Sequence, residues 1–244
     1  MKRNFKSLVL VILISMAGFT VQAQTAKDII QKYINKSGGI DKWKSVKTIV
    51  SLGNSSAMGQ VFTFTRSEKA PNLNRVDVVV MGQTLVQAYD GKTAWTINPF
   101  QGSGKPEAMS AEVGKAFAEN SQIVPVIMNL DASGLKANLL GKETLNGVTY
   151  DKIEVTHPEG DKDYYLFDSG TSLLSVVRKT PTTGQAAGKT AETFFSDYKD
   201  EQGMLVPHTQ ETKIDGQSFV TVTITSYKIN TDVDSKIFDF PAEK

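Results

Sequence analysis

The sequence predicts a mainly β, α+β chain: an antiparallel sheet with helical cover. Three observations predict it. Short segments rich in Val, Ile, Thr, Phe and Tyr recur between residues 48 and 97, and again between 136 and 229, separated by turns containing Gly, Asn or Pro. Within the first block no connection can hold a crossover helix, so successive strands must pair antiparallel. Two stretches instead show helical spacing, one before the first strand and one at about 106–130 between the blocks.

Ahead of these elements, Lys2, Arg3 and Lys6 precede an unbroken apolar run from Leu8 to Ile14, and the segment closes on Val21-Gln22-Ala23. That layout predicts a secretory signal peptide over 1–23, cut after Ala23, with an uncleaved membrane anchor as the alternative. The mature chain, 24–244, is then one exported domain. Thr25 can cap its first helix, with Asp28 in the acidic position of a capping box. Ile29, Ile30, Tyr33 and Ile34 follow at helical spacing until Gly38-Gly39 ends the helix. A short second helix over 41–46 turns Trp43 inward.

Strands are expected at 48–52, 60–66, 75–81, 85–89 and 93–97. The last two flank Asp90-Gly91, a strong hairpin signal. After a loop at 98–104, Ser110 caps a helix reaching residue 120, with Val113, Ala116 and Phe117 inward. The apolar stretch 123–130, split by Pro125, reads as helical turns. This insert is expected to lie across the sheet. Strands resume at 136–141, 150–156, 164–168, 173–179, 189–198, 205–214 and 219–229. Asn146-Gly147, Ser169-Gly170 and Asp215-Gly216 mark turns between them. Phe240, in the tail, is expected to pin an edge with its ring.

Composition excludes several function classes. Removing residues 1–23 takes three basic and no acidic side chains from totals of 27 and 26, which leaves a net charge of −2. Nucleic acid would call for a basic face. No mature segment reaches 18 apolar residues, so no membrane span is expected after cleavage. With no cysteine there is no thiol nucleophile, disulfide or lipid-bearing Cys. His157 and His208 fall in no metal-ligand spacing, and no Gly-x-Ser-x-Gly elbow is present. Gly102-Ser103-Gly104-Lys105 lacks the phosphate-loop spacing, and Asp161, Asp163 and Asp168 lack the calcium-loop pattern. No catalytic residue, cofactor or metal is therefore expected. A hydrolase with a site dispersed around His157 or His208 is the least favoured alternative.

The aromatic residues are more informative. Phe62 and Phe64 share one strand face, as do Tyr165 and Phe167, opposite Tyr164 and Leu166. Val76, Val78 and Val80 face away from Val79 and Met81. Several strands are thus apolar on both faces, which a sheet backed by solvent does not need. A helix, a second sheet or a bound hydrophobic ligand must cover them.

An ordered set of segments carries a resemblance. It runs from Ala26-Lys-Asp-Ile-Ile-Gln-Lys-Tyr33 and Ser37-Gly-Gly-Ile-Asp-Lys-Trp43 to Tyr89-Asp-Gly-Lys-Thr-Ala-Trp95-Thr-Ile-Asn-Pro99. It continues through Leu140-Gly-Lys-Glu143, Gly147-Val-Thr-Tyr-Asp-Lys-Ile153, Tyr165-Leu-Phe-Asp168 and Phe195-Ser-Asp-Tyr198 to Ile229-Asn-Thr-Asp-Val-Asp-Ser-Lys-Ile-Phe238. Across nearly the whole mature chain this resembles the periplasmic carriers and receptors that sort outer-membrane lipoproteins, the LolA/LolB-like family, in the secreted form of Bacteroidetes-type bacteria. The resemblance implies an incompletely closed, strongly curved half-barrel of about ten or eleven strands. An N-terminal helix and the central insert would cover its concave side, holding a lipoprotein acyl moiety or another hydrophobic ligand between. It implies a non-enzymatic periplasmic carrier. Phe62, Phe64, Val79, Met81, Trp95, Phe117, Ile127, Tyr165 and Phe167 are the expected lining, and Arg66 the expected lid contact. The competing expectation is an envelope module that docks a protein partner without lipid.

Overall fold

A computed structural model describes residues 24–119, 121–182 and 184–241; the expected signal peptide, 1–23, lies outside the described residues. The chain begins with α1 (Ala26–Lys36) and α2 (Ile40–Ser45). It continues through β1 (Thr48–Ala57), β2 (Gln60–Lys69), β3 (Leu73–Val80), β4 (Gln83–Tyr89), β5 (Ala94–Ile97) and β6 (Pro106–Ala108) to α3 (Ala111–Glu119). Two single 3-10 turns, Val126–Met128 and Asp131–Ser133, complete the insert. Then come β7 (Lys136–Leu145), β8 (Val148–Thr156), β9 (Lys162–Asp168), β10 (Leu174–Lys179), β11 (Ala191–Glu201), β12 (Met204–Ile214) and β13 (Gln217–Ile229).

Among the described residues all strands form one antiparallel sheet of 13, in the order β6-β5-β4-β3-β2-β1-β13-β12-β11-β10-β9-β8-β7. The two ends of that order do not pair, which leaves an open half-barrel with helices on one face. The count exceeds the ten or eleven expected. In particular, residues 106–108, expected to begin the helical insert, instead pair with β5 (Ile97↔Pro106, Trp95↔Ala108). Proline is tolerated there because an edge strand can lack one ladder donor. The Asp90-Gly91 connection also differs from a two-residue turn. Asp90 Oδ1 accepts from the backbone N–H of Lys92 (2.8 Å) and Thr93 (2.6 Å), which spreads the reversal over four residues.

The N-terminal helix forms as its sequence dictates. Thr25 Oγ1 accepts from Asp28 N–H (3.2 Å) and Asp28 Oδ2 accepts from Thr25 N–H (2.9 Å), so both halves of the capping box are made. Ile29, Ile30, Tyr33 and Ile34 form its buried stripe. Gly38 and Gly39 end it with φ of +104° and +88°, a conformation only glycine adopts cheaply. Behind them the buried Trp43 indole donates to Ser37 O (3.0 Å). The stripe seats on the sheet's helix-bearing face against Ile153, Val155, Tyr165, Phe167 and Val177, with Ile123, Ile127 and Met128 of the insert beside it.

The opposite face is covered differently. After β13 the chain crosses back over β2, β3 and β5. Lys69 Nζ donates to Val233 O (2.7 Å), Arg75 Nη1 to Ile237 O (2.8 Å) and Trp95 Nε1 to Phe238 O (2.9 Å). Phe238 is fully buried, and the Phe240 ring stacks on Trp95 at 6.1 Å, so the tail does pin the region next to the β6 edge. Farther along, Tyr150, Leu166 and Val176 lie beneath the sheet's own long side chains. Lys152 sits over Tyr164 and Lys213 over Phe194, each at 4.9 Å. Over β8 to β10 the strands that are apolar on both faces therefore have cover on both.

Two outcomes follow. Phe238→Ala should cost about 3–5 kcal/mol of unfolding free energy, read by urea denaturation, because it empties a closed site and frees the tail. Burial raises the Tyr33 hydroxyl to about 12 and also lifts those of Tyr165, Tyr198 and Tyr227. The folded state holds these protons above pH 10, where the unfolded chain releases them. Stability should therefore fall as pH rises from about 10 to 12. Tyr33→Phe should flatten that fall in an alkaline denaturation series.

Candidate functional site

The pleat and register decide which side chains share the helix-bearing face. Over β7 to β12 that face is packed shut by α1 and the insert; the Tyr33 and Phe167 rings, for example, meet at 5.4 Å. Over β13 and β1 to β4 it carries a row of facing residues, Ile224↔Gly53↔Phe64↔Val78↔Leu85. Beside it runs Val222↔Ser55↔Phe62. Phe62, Phe64, Val78, Leu85 and Val222 are only half-buried. At four strand spacings, the row spans about 19 Å.

Gly53 makes this surface possible. The register of β1 against β13 shifts at Leu52/Gly53, which kinks the sheet there. A Cβ on Gly53 would lie 2.9 Å from Phe64 Cε1 and would run into the Thr223 carbonyl. The Phe64 ring can lie across the backbone only because that Cβ is missing.

The next row is polar except for Val76: Tyr227↔Ser51↔Arg66↔Val76↔Gln87. Arg66 Nη2 pairs with Glu68 Oε1 at 2.9 Å. Tyr227 donates its hydroxyl to Pro207 O (2.9 Å), and the His208 ring lies edge-on to it at 5.1 Å. His208 Nδ1 bonds Ile224 O (2.9 Å), and its Nε2 is 3.0 Å from Glu201 Oε1. The site is thus amphipathic, an apolar belt bordered by hydrogen-bonded polar side chains.

Of the residues expected to line an interior, Phe62 and Phe64 lie on this surface. Phe117 is half-buried on α3, whose inner side also carries Gly114 and Ala118; Val113 and Ala116, expected inward, are exposed. Ile127, Tyr165 and Phe167 are on the helix-bearing side but packed into the core. Three placements correct the expectation. Val79 alternates with Val78 and so points to the opposite face. Trp95 faces the same way and serves as the anchor for the C-terminal tail. Met81 stands at the β3–β4 turn with φ +50° and is 82% exposed. Arg66 shares the face of Phe62 and Phe64, with Glu68 of its own strand as ion-pair partner. Val76, Val78, Leu85 and Val222 were not singled out as lining. Their period-2 spacing was legible, but only cross-strand register puts them beside Phe64.

A depression of about 560 Å³ lies over the same strands, lined by Leu52, Asn54, Thr63, Thr65, Asp77, Val79, Thr84 and Thr225 and bordered by Gly53 and Phe64. By the alternation of the strands most of these side chains point away from the helices. Arg75 clamps Asp77 through Nε (2.9 Å) and Nη2 (2.7 Å). The depression's lining mixes Leu52 and Val79 with threonine hydroxyls, the Asn54 amide and the Asp77 carboxylate. The rows of the belt carry no charged side chain, which makes the belt the better candidate for a hydrophobic ligand.

Both histidines meet carboxylates: His157 Nε2 is 2.9 Å from Asp163 Oδ2, which also takes Lys179 at 3.3 Å, and His208 faces Glu201. Among the described residues neither ring bonds a serine hydroxyl; His157 ties the end of β8 to β9, and His208, inside β12, ties that strand to the end of β11. Among the described residues, no group of three or more His, Asp or Glu could hold a metal ion, and no helix is long and apolar enough to cross a membrane.

No protein-family profile matches the sequence, and no curated protein matches it. Solved structures do. A LolA superfamily protein from Nitrosomonas europaea superposes with a TM-score of 0.59 at 13% identity, covering 89% of this chain and 98% of the other. A putative outer membrane lipoprotein-sorting protein domain from Vibrio parahaemolyticus gives 0.57 at 13% identity, over 88% and 97%. The chain has the LolA/LolB-like fold. A DUF1329 family protein from Desulfovibrio piger shares it too, with a TM-score of 0.60 at 13% identity over 89% and 98%. The LolA/LolB-like half-barrel accounts for the open sheet, the N-terminal helix and the position of the insert.

Gly53→Ala should cost about 1–3 kcal/mol in chemical denaturation, since the new Cβ must displace the Phe64 ring and a backbone carbonyl.

Proposed function

We propose that this protein binds a lipoprotein acyl moiety, or another hydrophobic ligand, on the half-buried apolar belt of its helix-bearing face and carries it non-covalently through the periplasm. The observation that supports this most is the row Ile224-Gly53-Phe64-Val78-Leu85, an apolar track about as long as a fatty acyl chain. Burying ten methylenes on it would contribute about 8 kcal/mol, the free energy of a micromolar complex before ordering costs. Binding needs no bond chemistry, and release needs only a competing acceptor or an opened cover. The LolA/LolB-like fold supports the reading, and so does the leader over 1–23, which reads as an export signal.

The test is native mass spectrometry of protein purified without detergent from its own periplasm, followed by solvent extraction. A stoichiometric acyl lipid or lipopeptide is the expected result. A clean mass for residues 24–244, unchanged when lipids are offered, would overturn it. Val78→Arg should weaken binding of a fluorescent fatty acid at least about tenfold while leaving the melting temperature within a few degrees, because it puts a charge on the belt.

A second reading has its own observation. Met58 is 85% exposed and Val61 67% exposed at the β1–β2 turn, next to the exposed Met81 at the β3–β4 turn. Apolar side chains at neighbouring hairpin tips favour an envelope protein partner. Stoichiometric co-isolation of one partner without lipid would put this reading first.

A further inference from the structure

The apolar belt has a definite width and length, and both limit what can lie on it. Its side chains come from two rows, Ile224-Gly53-Phe64-Val78-Leu85 and Val222-Ser55-Phe62. The rows stand two residues apart along each strand, about 7 Å. A hydrocarbon chain lying between them keeps about 4 Å from the side-chain atoms on either flank. One chain therefore takes up the furrow between the rows. Lengthwise, the first row meets the buried His208 at the β13 end, where His208 Nδ1 bonds Ile224 O (2.9 Å). It stops at Leu85 at the other end, because the β4–β5 ladder begins only at Val86↔Ile97.

The ground around the furrow is poor for a second chain. Beyond the first row stand Tyr227, Ser51 and Gln87, with Arg66 and its ion-pair partner Glu68 (2.9 Å). Methylenes laid over that pair would strip water from two charges and return no hydrogen bond. Beyond the second row the sheet runs out, since Gln60 faces Ala57 at the last pair before the β1–β2 turn. The other limb of the half-barrel is closed. Ile127, Ile153, Val155 and Phe167 are at most 1% exposed there, so a chain could enter only by lifting α1 and the insert off the core.

We propose that the belt seats one acyl chain and no more, so that the ligand is a single-chain lipid, a fatty acid or a lysolipid, and not a two- or three-chain moiety. This rests on the belt being the ligand surface, and it selects among the hydrophobic ligands that surface could take. A lipid with two or three chains would leave the others in water or over the Arg66–Glu68 pair. An unseated chain buries no methylenes and adds nothing to affinity.

The test offers the exported, delipidated protein palmitate and one synthetic peptide carrying one, two or three palmitoyl chains, each below its aggregation threshold. Displacement of a fluorescent fatty acid gives affinities, and native mass spectrometry gives stoichiometry. One palmitate per protein is expected, with the three lipopeptides agreeing within about threefold because the added methylenes stay in water. A second seated chain of about ten methylenes would instead raise affinity more than about a hundredfold. A gain of that size, or two palmitates bound alike, would overturn the single-chain limit while leaving the belt as the ligand surface. Palmitate binding that survives Val78→Arg would overturn the belt as the seat of the chain. A protein that binds none of the probes would overturn the belt reading and this limit with it. The lipid extracted from protein taken from its own periplasm separates the sources: a fatty acid or a lysolipid supports the limit, and a diacyl or triacyl lipid overturns it.

Discussion

The pairing of β1 with β13 joins the two strand blocks, one from each half of the chain, into a single sheet. Ile49 faces Ile229, and the join continues past the strand ends. There Asn230 N–H donates to Thr48 O (2.8 Å) and Asn230 Oδ1 accepts from Lys47 N–H (2.7 Å). Because the sheet runs on through this seam, the helix that precedes β1 and the tail that follows β13 both start from the middle of it. The helix folds over one face and the tail over the other. A sheet one layer thick has two apolar faces to hide, and this seam supplies a cover for each.

The covers are unequal, and that inequality locates the candidate site. α1 and the insert fill one limb of the half-barrel with large aliphatic and aromatic side chains. The other limb carries Phe64, Val78 and Leu85 with far less over them. Apolar surface left half-hidden is a standing cost in water, which a hydrophobic ligand would relieve. The polar row containing Arg66 and Tyr227 bounds that surface on one side.

Much of this was legible in the residues. The capping box at Thr25 and Asp28, the stripe of α1, the Gly38-Gly39 stop and the hairpin turns at Asn146-Gly147 and Asp215-Gly216 depend on neighbours in sequence. The same holds for Phe62 and Phe64 sharing a face. The lining was less legible. Val79 and Trp95 were expected inside because they are apolar and lie in strands, but a strand with apolar residues on both faces does not say which face meets the helices. Met81 was expected to continue the β3 alternation; instead the chain reverses there, and a residue in a tight turn has no sheet face. The edge strand at Pro106 carries no alternating signal in three residues and exists only because β5 offers it a partner.

The sequence by itself determined the antiparallel class, the two strand blocks around an insert, the first helix and the apolar character of both strand faces. These follow from local propensity, period and turn chemistry, which act over a few residues. Tertiary structure alone decided the join of β1 to β13, the side on which each cover lies, and the row that gathers Ile224, Phe64, Val78 and Leu85. Those depend on register between strands distant in the chain. A one-residue slip would send each side chain of a strand to the other face, so no local pattern can encode the outcome.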